Sequence, residues 1–221
     1  MDVAEAVATR RAIRRFLNKP VDLQTIRRIL DQARMSPSGC NFQPWHATVL
    51  TGEPLKALQA KMIASAPQDP IEFDFSAPNN VPHYLARLQT LGASMYGAMD
   101  VERDDKEGRG DFARQNIVSF GAPVLLLCHI ERFMEPPQWA DVGMWLQTVM
   151  LLLRGEGMDS CPQEWMSLYA RLIKAEIGVP DEEQILFCGL AIGYRDPEPA
   201  VNNFERQRIP LDEQVRFDGW E

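Results

Sequence analysis

The stretch that decides the fold is PVLLLCHI at residues 123–130. This run carries no Asp, Glu, Lys or Arg, and it predicts a strand that is buried on both faces. QILFCGLAIGY at residues 184–194 has the same character and predicts a second buried strand. The shorter run HATVL at residues 46–50 predicts a third strand, which ends at the turn Thr51-Gly52. We therefore expect about three internal strands at the centre of the molecule.

Helical patterns surround these strands. Asp22 is a suitable N-cap residue, and Leu23, Ile26, Leu30 and Ala33 follow it at helical spacing. Another helix is expected from about Pro54, with Leu55, Leu58 and Met62 as its apolar positions, and further helices are predicted over residues 2–10, 83–101, 138–154 and 165–177. Because helices and strands do not alternate as regular βαβ units, the sequence predicts an α+β fold rather than a doubly wound α/β fold. Neither G-x-G-x-x-G after a strand nor a P-loop motif is present.

Two segments are expected to lack regular structure, and a third is expected to be exposed. Residues 66–82 contain four prolines, and they predict a long irregular loop. Residues 102–111 are heavily charged and are expected to be exposed. The tail after Pro197 is expected to be mostly irregular, and PLDEQVRFDGW at residues 210–220 could extend along a neighbouring chain.

Composition limits the class of protein. The 221 residues are 45% hydrophobic and 24% charged, which is typical of a soluble globular protein and predicts one domain over residues 1–221. The net charge of −8 argues against nucleic acid and anionic membrane surfaces as main partners. The start of the chain does not have the pattern of a secretory signal, no apolar run is long enough for a membrane span, and the four cysteines show neither a zinc spacing nor a disulfide framework. A cytoplasmic location is therefore expected.

Two arginine-rich segments are candidates for anion binding. RRAIRRF at residues 10–16 places four arginines within six residues, and the planar guanidinium fork suits phosphate oxygens. Arg206 and Arg208 alternate just ahead of the tail and could join the same phosphate if the fold brings the two segments together. For both segments, the alternative is a solvated or paired basic surface.

Two further segments carry polar groups. PSGCNFQPW at residues 37–45 could present hydrogen-bonding groups to the edge of a planar heterocycle, or could be an ordinary turn. SCPQE at residues 160–164 predicts a proline-containing turn that opens a helix and aims backbone N–H groups at a ligand. No motif ties a histidine to Cys161, so we expect an inert buried thiol there. His46 and His129 lie in predicted strands, and we expect them to pack rather than to catalyse.

Taken in order, these segments resemble the nitroreductase family of flavin enzymes. The family pattern has an RRSxRxF-like start, a PSGxNxQPW-like loop about 25 residues later and an RxPLDE segment near the end. FGAPV at residues 120–124, DVGM at 141–144 and LAIGY at 190–194 also agree. The similarity extends from Arg10 to Phe217. It implies an intertwined homodimer of α+β subunits, each with a small central, mostly antiparallel sheet flanked by helices, with exchange of C-terminal segments and two FMN sites at the dimer interface.

The resemblance also implies residue roles in binding FMN. Arg10, Arg11, Ala12 and Arg14 match the N-terminal FMN-binding segment, and Arg206 and Arg208 match phosphate-binding residues. Pro37, Ser38, Gly39 and Asn41 match a loop that contacts FMN from the other subunit, while Pro162 and Gln163 lie where backbone approaches the flavin ring. Arg14 is the candidate for a positive charge that stabilises the reduced flavin at its N1/O2 edge. Two positions depart from the pattern: Ala12 replaces a frequent Ser and so removes a hydroxyl contact, and Trp165 is expected to narrow the space beside the isoalloxazine.

The implied activity is that of an FMN-dependent oxidoreductase. NADH or NADPH would donate hydride to the flavin, and a small nitroaromatic or quinone-like acceptor would then replace the nucleotide in a ping-pong mechanism, with no protein nucleophile. Reductive dehalogenation, flavin cleavage and flavin binding without turnover remain as alternatives. Residues 1–28 hold seven bases and three acids, which gives a local charge of +4. Because the whole chain has a net charge of −8, the remaining residues have a net charge of −12. The proposed basic site thus lies within an acidic chain.

Overall fold

A four-stranded antiparallel sheet forms the centre of the computed structural model, which describes residues 1–75 and 80–219. Its spatial order is β1-β2-β4-β3, and the strands are His46–Thr51 (β1), Val124–Glu131 (β2), Asp159–Gln163 (β3) and Gln184–Gly193 (β4). The two central strands are the two predicted apolar runs, and they pair with Leu126 opposite Leu190. The continuous run in β2 is explained by its two buried faces, because Leu126 and Ile130 face one hydrophobic cluster whereas Leu125 and Leu127 face another.

The strand β3 corrects two predictions. The sheet has a fourth strand where three were expected, and residues 160–163 belong to this strand rather than to a turn that opens a helix. Its sequence, DSCPQ, has no apolar run or clear alternation, so the pattern did not identify it. Pro162 lies opposite Leu190 on a strand that is outermost in the four-stranded order, and proline is tolerated there because one side of such a strand needs no ladder hydrogen bonds.

Helices cover both faces of the sheet. They are Val3–Thr9 (α1), Leu23–Ala33 (α2), Gly52–Ile63 (α3), Pro82–Gly97 (α4), Lys106–Arg114 (α5), Pro136–Gly155 (α6) and Ala170–Ile177 (α7). Helix α6 packs Val142, Val149 and Leu153 into the first cluster, together with α2, whereas α3 and α7 supply the second. Within the described ranges, no helix has both the length and the apolar character that crossing a membrane would need.

The helix predictions are confirmed with two corrections. Asp22 caps α2 by accepting a hydrogen bond from the Thr25 N–H at 2.8 Å, but Leu23 is 60% exposed because it lies in the first turn, and Ile29 is buried instead. The charged stretch 102–111 is exposed over most of its length, as predicted, and its residues from Lys106 onward belong to α5. The helix predicted over residues 165–177 begins as the 3-10 segment Glu164–Tyr169.

The predicted irregular loop is confirmed for residues 66–75, while residues 76–79, including Pro78, lie outside the described residues. Glu72 fixes this loop to the body of the protein. Its carboxylate contacts the fully buried ammonium of Lys174 and accepts a hydrogen bond from the Leu186 N–H at 2.9 Å. Phe73 then packs edge-on against Trp139, with ring centroids 5.4 Å apart. The loop is therefore held beside α6 and β4 by a buried ion pair and an aromatic contact.

Candidate functional site

The arginine-rich N-terminal segment runs along the edge of the sheet. Ala12 forms a parallel bridge to Ser160 of β3, and the Ile13 N–H donates to the Ser160 carbonyl at 3.0 Å. Further along, the Leu17 N–H donates to the Tyr194 carbonyl at 2.9 Å. Ile13 is fully buried between these contacts. The backbone of this segment is thus fixed, and the flanking arginine side chains are presented from a rigid position.

The C-terminal tail is tied to the same segment. The Arg206 guanidinium donates to the carbonyls of Ala8, at 2.6 Å, and of Arg10. Arg11 donates to the Phe204 carbonyl and lies over the Phe204 ring. These contacts bring together two parts of the chain that are almost 200 residues apart, as the anion-site hypothesis required.

Asn202 is a further contact between the tail and the N-terminal segment. This side chain is fully buried, its amide oxygen accepts from the Arg14 N–H at 2.8 Å, and its amide nitrogen donates to the carbonyls of Arg15 and Asp196, both at 2.8 Å. Nothing in the sequence marks Asn202, because a single asparagine in an irregular tail has no periodicity and belongs to no motif.

A cavity of about 600 Å³ lies between the N-terminal segment, the tail and α4. We call it the arginine cavity, since its lining includes Ala12 and six arginines: Arg10, Arg11, Arg14, Arg87, Arg206 and Arg208. Glu205 also lines it. The prediction that Arg206 and Arg208 join the N-terminal arginines is confirmed in this respect. Arg87, on α4, was not predicted as part of the site.

The arginines of this cavity repel one another. Burial lowers the pKa of Arg10, and the neighbouring charges of Arg206 and Arg208 lower it further. Burial likewise lowers the pKa of Arg11, with smaller contributions from Arg206, Arg195 and Arg14. In the part of the chain that the structure describes, Arg10, Arg14 and Arg208 have no acidic partner within ion-pair distance. A phosphate group, with its double charge and several acceptor oxygens, fits such an arrangement.

A buried acid beside the cavity forms ion pairs with two arginines that do not line the cavity. Asp159, at the start of β3, accepts two hydrogen bonds from Arg195 at 2.8 Å and one from Arg154 at 3.0 Å. The bond to Asp159 raises the pKa of Arg195. Because its carboxylate is already engaged in this way, Asp159 holds the sheet edge in place, and its ion pairs are with Arg154 and Arg195 rather than with the lining arginines. The sequence analysis identified neither Asp159 nor Arg195.

The loop at residues 37–45 does not line the arginine cavity. Its Gly39 N–H donates to the buried carboxylate of Asp141 on α6 at 3.1 Å, and Ser38 accepts from the Gln43 N–H at 3.0 Å. Asn41 is exposed and has a positive φ of 58°. Pro37, Ser38, Gly39 and Asn41 thus form a fixed loop on another part of the surface, and their contact with FMN across a dimer stays a prediction.

The β3 residues differ in what they present. Gln163 is buried, and its side-chain amide donates to the Asn116 backbone carbonyl at 2.9 Å, whereas Pro162 is exposed. Trp165 packs on Tyr169, with ring centroids 5.3 Å apart, in the cluster under α3 and α7. Trp165 therefore does not belong to the lining of the arginine cavity.

Cys161 is buried and His46 and His129 pack in the sheet, as predicted. Cys161 is buried, and burial raises its pKa to about 11, so the thiol is protonated and unreactive near neutral pH. His46 stacks on His129 with ring centroids 5.8 Å apart and lies 3.0 Å from a Glu131 oxygen. Burial lowers the pKa of His129, which packs in the sheet beside Gln184. No group of three or more metal-ligating side chains is found among the residues that the structure describes.

Comparisons of the sequence and of the structure with known proteins all find similarity to nitroreductases. A model of the nitroreductase family matches residues 7–194. The sequence is 35% identical to a 4-nitrobenzoate reductase of Pseudomonas putida, over 100% of this chain and 97% of that protein. The structure of an FMN and NADPH-dependent nitroreductase, NfnB from Sphigopyxis sp. strain HMH, covers 100% of both chains with a TM-score of 0.94 and 43% identity. FMN-dependent NfnB from Mycobacterium smegmatis, solved in complex with NADPH, covers 98% of this chain and 99% of its own, with a TM-score of 0.89 and 29% identity.

Proposed function

Because the chain belongs to the nitroreductase family, we propose that it is an FMN-dependent oxidoreductase that uses NADH or NADPH to reduce nitroaromatic compounds. The observation that carries this proposal is the arginine cavity, where two distant segments bring together arginines that lack acidic partners among the described residues. The names of the relatives support both the cofactor and the class of acceptor.

Each segment of the cavity has a proposed role. Arg10, Arg206 and Arg208 would hold the FMN phosphate, since their charges converge and phosphate accepts bidentate bonds from guanidinium groups. Arg11 is engaged with the tail through Phe204 and would add positive charge beside the phosphate. Ala12 has its backbone in the bridge to β3, and its methyl side chain offers no hydroxyl to the cofactor.

Chemistry and positioning are divided between cofactor and protein. When bound, FMN supplies the hydride-accepting and electron-donating chemistry. Arg14 would place a positive charge at the N1/O2 edge of the ring system, and its backbone is fixed for this by the bond to Asn202. The backbone at Pro162 and Gln163 would approach the ring from β3. The reduced nucleotide and the acceptor would use the same space in turn, which gives ping-pong kinetics.

We also propose that residues 1–221 act as one domain in a homodimer. The loop with Pro37, Ser38, Gly39 and Asn41 would reach the FMN of the partner subunit. The C-terminal segment would extend across the partner subunit. The separation of this loop from the arginine cavity within one chain supports the proposal, as do the exposed apolar side chains of the tail, Leu211, Val215 and Phe217.

A sequence of spectra tests the function. The purified protein should show flavin absorbance or take up added FMN, anaerobic NADPH or NADH should bleach it, and 4-nitrobenzoate should restore the colour. A protein that cannot be reconstituted with FMN would contradict the cofactor assignment, and a flavin bleached by neither nucleotide would contradict the reductase assignment. Reoxidation by a quinone or a halophenol but not by nitroaromatics would move the acceptor to another class.

A further inference from the structure

The arginine cavity holds more positive charge than one cofactor phosphate neutralises. Six arginines and one acid, Glu205, line it, a net charge of +5. A phosphate monoester contributes roughly −1.5 to −2 at neutral pH, so about three positive charges remain after it binds. A cavity with this residual charge raises the local concentration of anionic substrates and favours them over neutral ones.

Arg87 differs from the other five arginines. They lie on the N-terminal segment and the tail, which are joined by hydrogen bonds from arginine side chains to backbone carbonyls, whereas Arg87 lies on α4. Its guanidinium stands over the Tyr84 ring, 5.4 Å from the centroid. Throughout residues 1–75 and 80–219, we find no ion pair or hydrogen bond to its side chain. The guanidinium is thus held by an aromatic ring while its N–H groups stay available to a ligand.

The surroundings of Arg87 combine positive charge with apolar surface. Leu91 is one helical turn further along α4, lines the same cavity and is 47% exposed. An apolar side chain beside an unpaired guanidinium complements a molecule that has an aromatic ring and a carboxylate. Such a ligand would pack its ring on Leu91 and accept bidentate hydrogen bonds from Arg87.

We propose that Arg87 is a specificity-determining residue that binds the carboxylate of an aromatic acid acceptor. This inference rests on the proposed nitroaromatic reductase function and names the substrate class within it. Thr90, which lies between Arg87 and Leu91 in sequence, also lines the cavity.

The kinetic test compares 4-nitrobenzoate with its neutral methyl ester on pre-reduced holoenzyme, following flavin reoxidation by stopped flow. Arg87→Gln should lower the rate ratio of acid to ester by about two- to fivefold, as expected for loss of an exposed charge pair. Arg87→Lys should retain only part of the ratio, because lysine keeps the positive charge but cannot form the bidentate bonds. Arg27→Gln makes the same charge change on exposed α2, away from the cavity, and should leave the ratio unchanged.

A binding test does not depend on turnover. Benzoate, which has no nitro group, should bind the wild-type protein in calorimetric titrations, and Arg87→Gln should weaken that binding by a similar factor. Absence of benzoate binding, or equal affinity in both proteins, would overturn the proposal even if the reductase assignment holds. If Arg87→Gln instead slows acid and ester equally and weakens FMN retention, Arg87 belongs to the cofactor site. If it changes only the preference for NADPH over NADH, the residue reads the nucleotide phosphate and the acceptor assignment is wrong.

Discussion

Arg208 provides the sharpest test of the phosphate site, because its side chain makes few contacts that stabilise the protein when no ligand is bound. Its guanidinium is exposed, and among the described residues it donates only to the adjacent Gln207 carbonyl, at 2.7 Å. Replacement by Ala should therefore change the free energy of unfolding of the apoprotein by less than about 0.5 kcal/mol, as is usual for surface positions. A lost charge-assisted bond to phosphate, in contrast, is worth about 1.5–3 kcal/mol, which raises the Kd for FMN by roughly 10- to 150-fold.

A second variant, Arg206→Ala, provides a comparison with Arg208→Ala. The Arg206 guanidinium bonds the carbonyls of Ala8 and Arg10, so Arg206→Ala breaks the link between tail and N-terminal segment as well as a phosphate contact. We expect this variant to lose about 1–3 kcal/mol of apoprotein stability in addition to FMN affinity. The two variants should separate in a plot of FMN affinity against stability, although both remove one arginine.

The assay is a titration of apoprotein with FMN, followed by quenching of flavin fluorescence, alongside urea unfolding of the same apoprotein. Arg27→Ala on α2 serves as the charge control, and it should change neither quantity. Unchanged FMN affinity in Arg208→Ala would remove this residue from the site. Equal stability losses in Arg208→Ala and Arg206→Ala would refute the distinction that we draw from their contacts.

Three further predictions concern the elements that support the site. Asp141→Ala removes the acceptor of the Gly39 N–H, so we expect the stability to fall by about 1 kcal/mol and amide exchange in the loop to rise; unchanged exchange would contradict the role of this bond. In Gly193→Ala, the new methyl group would lie 2.8 Å from a proline ring carbon, and urea unfolding should show a loss of about 1–3 kcal/mol. The hydrogen bond to Lys174 lowers the pKa of Asp181 below its ordinary value of 3.8, so its contribution to stability is complete above that pH and is lost as the pH falls through the lowered value. The Tm of Asp181→Asn should therefore depend less on pH between about 5 and 3 than the Tm of the wild type does, and parallel curves would exclude the effect.

The sequence was sufficient for those parts of the fold whose residues act through local pattern. The apolar runs at residues 123–130 and 184–194 became the central strands because both faces of the sheet are covered. Asp22 became an N-cap because that interaction spans only three residues. In β3, by contrast, pairing is decided by the neighbouring strand β4, and a polar segment containing a proline carries no local sign of it.

The residues of the site also divide into those marked by a local sequence pattern and those that act on groups distant in sequence. The arginines of residues 10–15 stand together in sequence, and this local pattern predicts a candidate anion site without knowledge of the fold. Asp159 and Asn202 belong to no such pattern, because each acts on groups that are distant in sequence, such as the Arg195 guanidinium and the Arg14 N–H. Arg87 is distinguished only by the cavity that it enters.

The arrangement of the two FMN-binding motifs within one chain bears on how many chains a site needs. The arginine cavity takes its lining from the N-terminal segment, α4 and the tail, and the loop at residues 37–45 does not contribute to that lining. The loop is instead held on α6 by the bond from Gly39 to Asp141, with several residues locked at positive φ, so a large excursion would break fixed contacts. If both motifs contact the same FMN, the loop must therefore come from a second copy of the chain. The phosphate contacts and the loop contacts would then be independent in the monomer and become coupled only when the dimer forms.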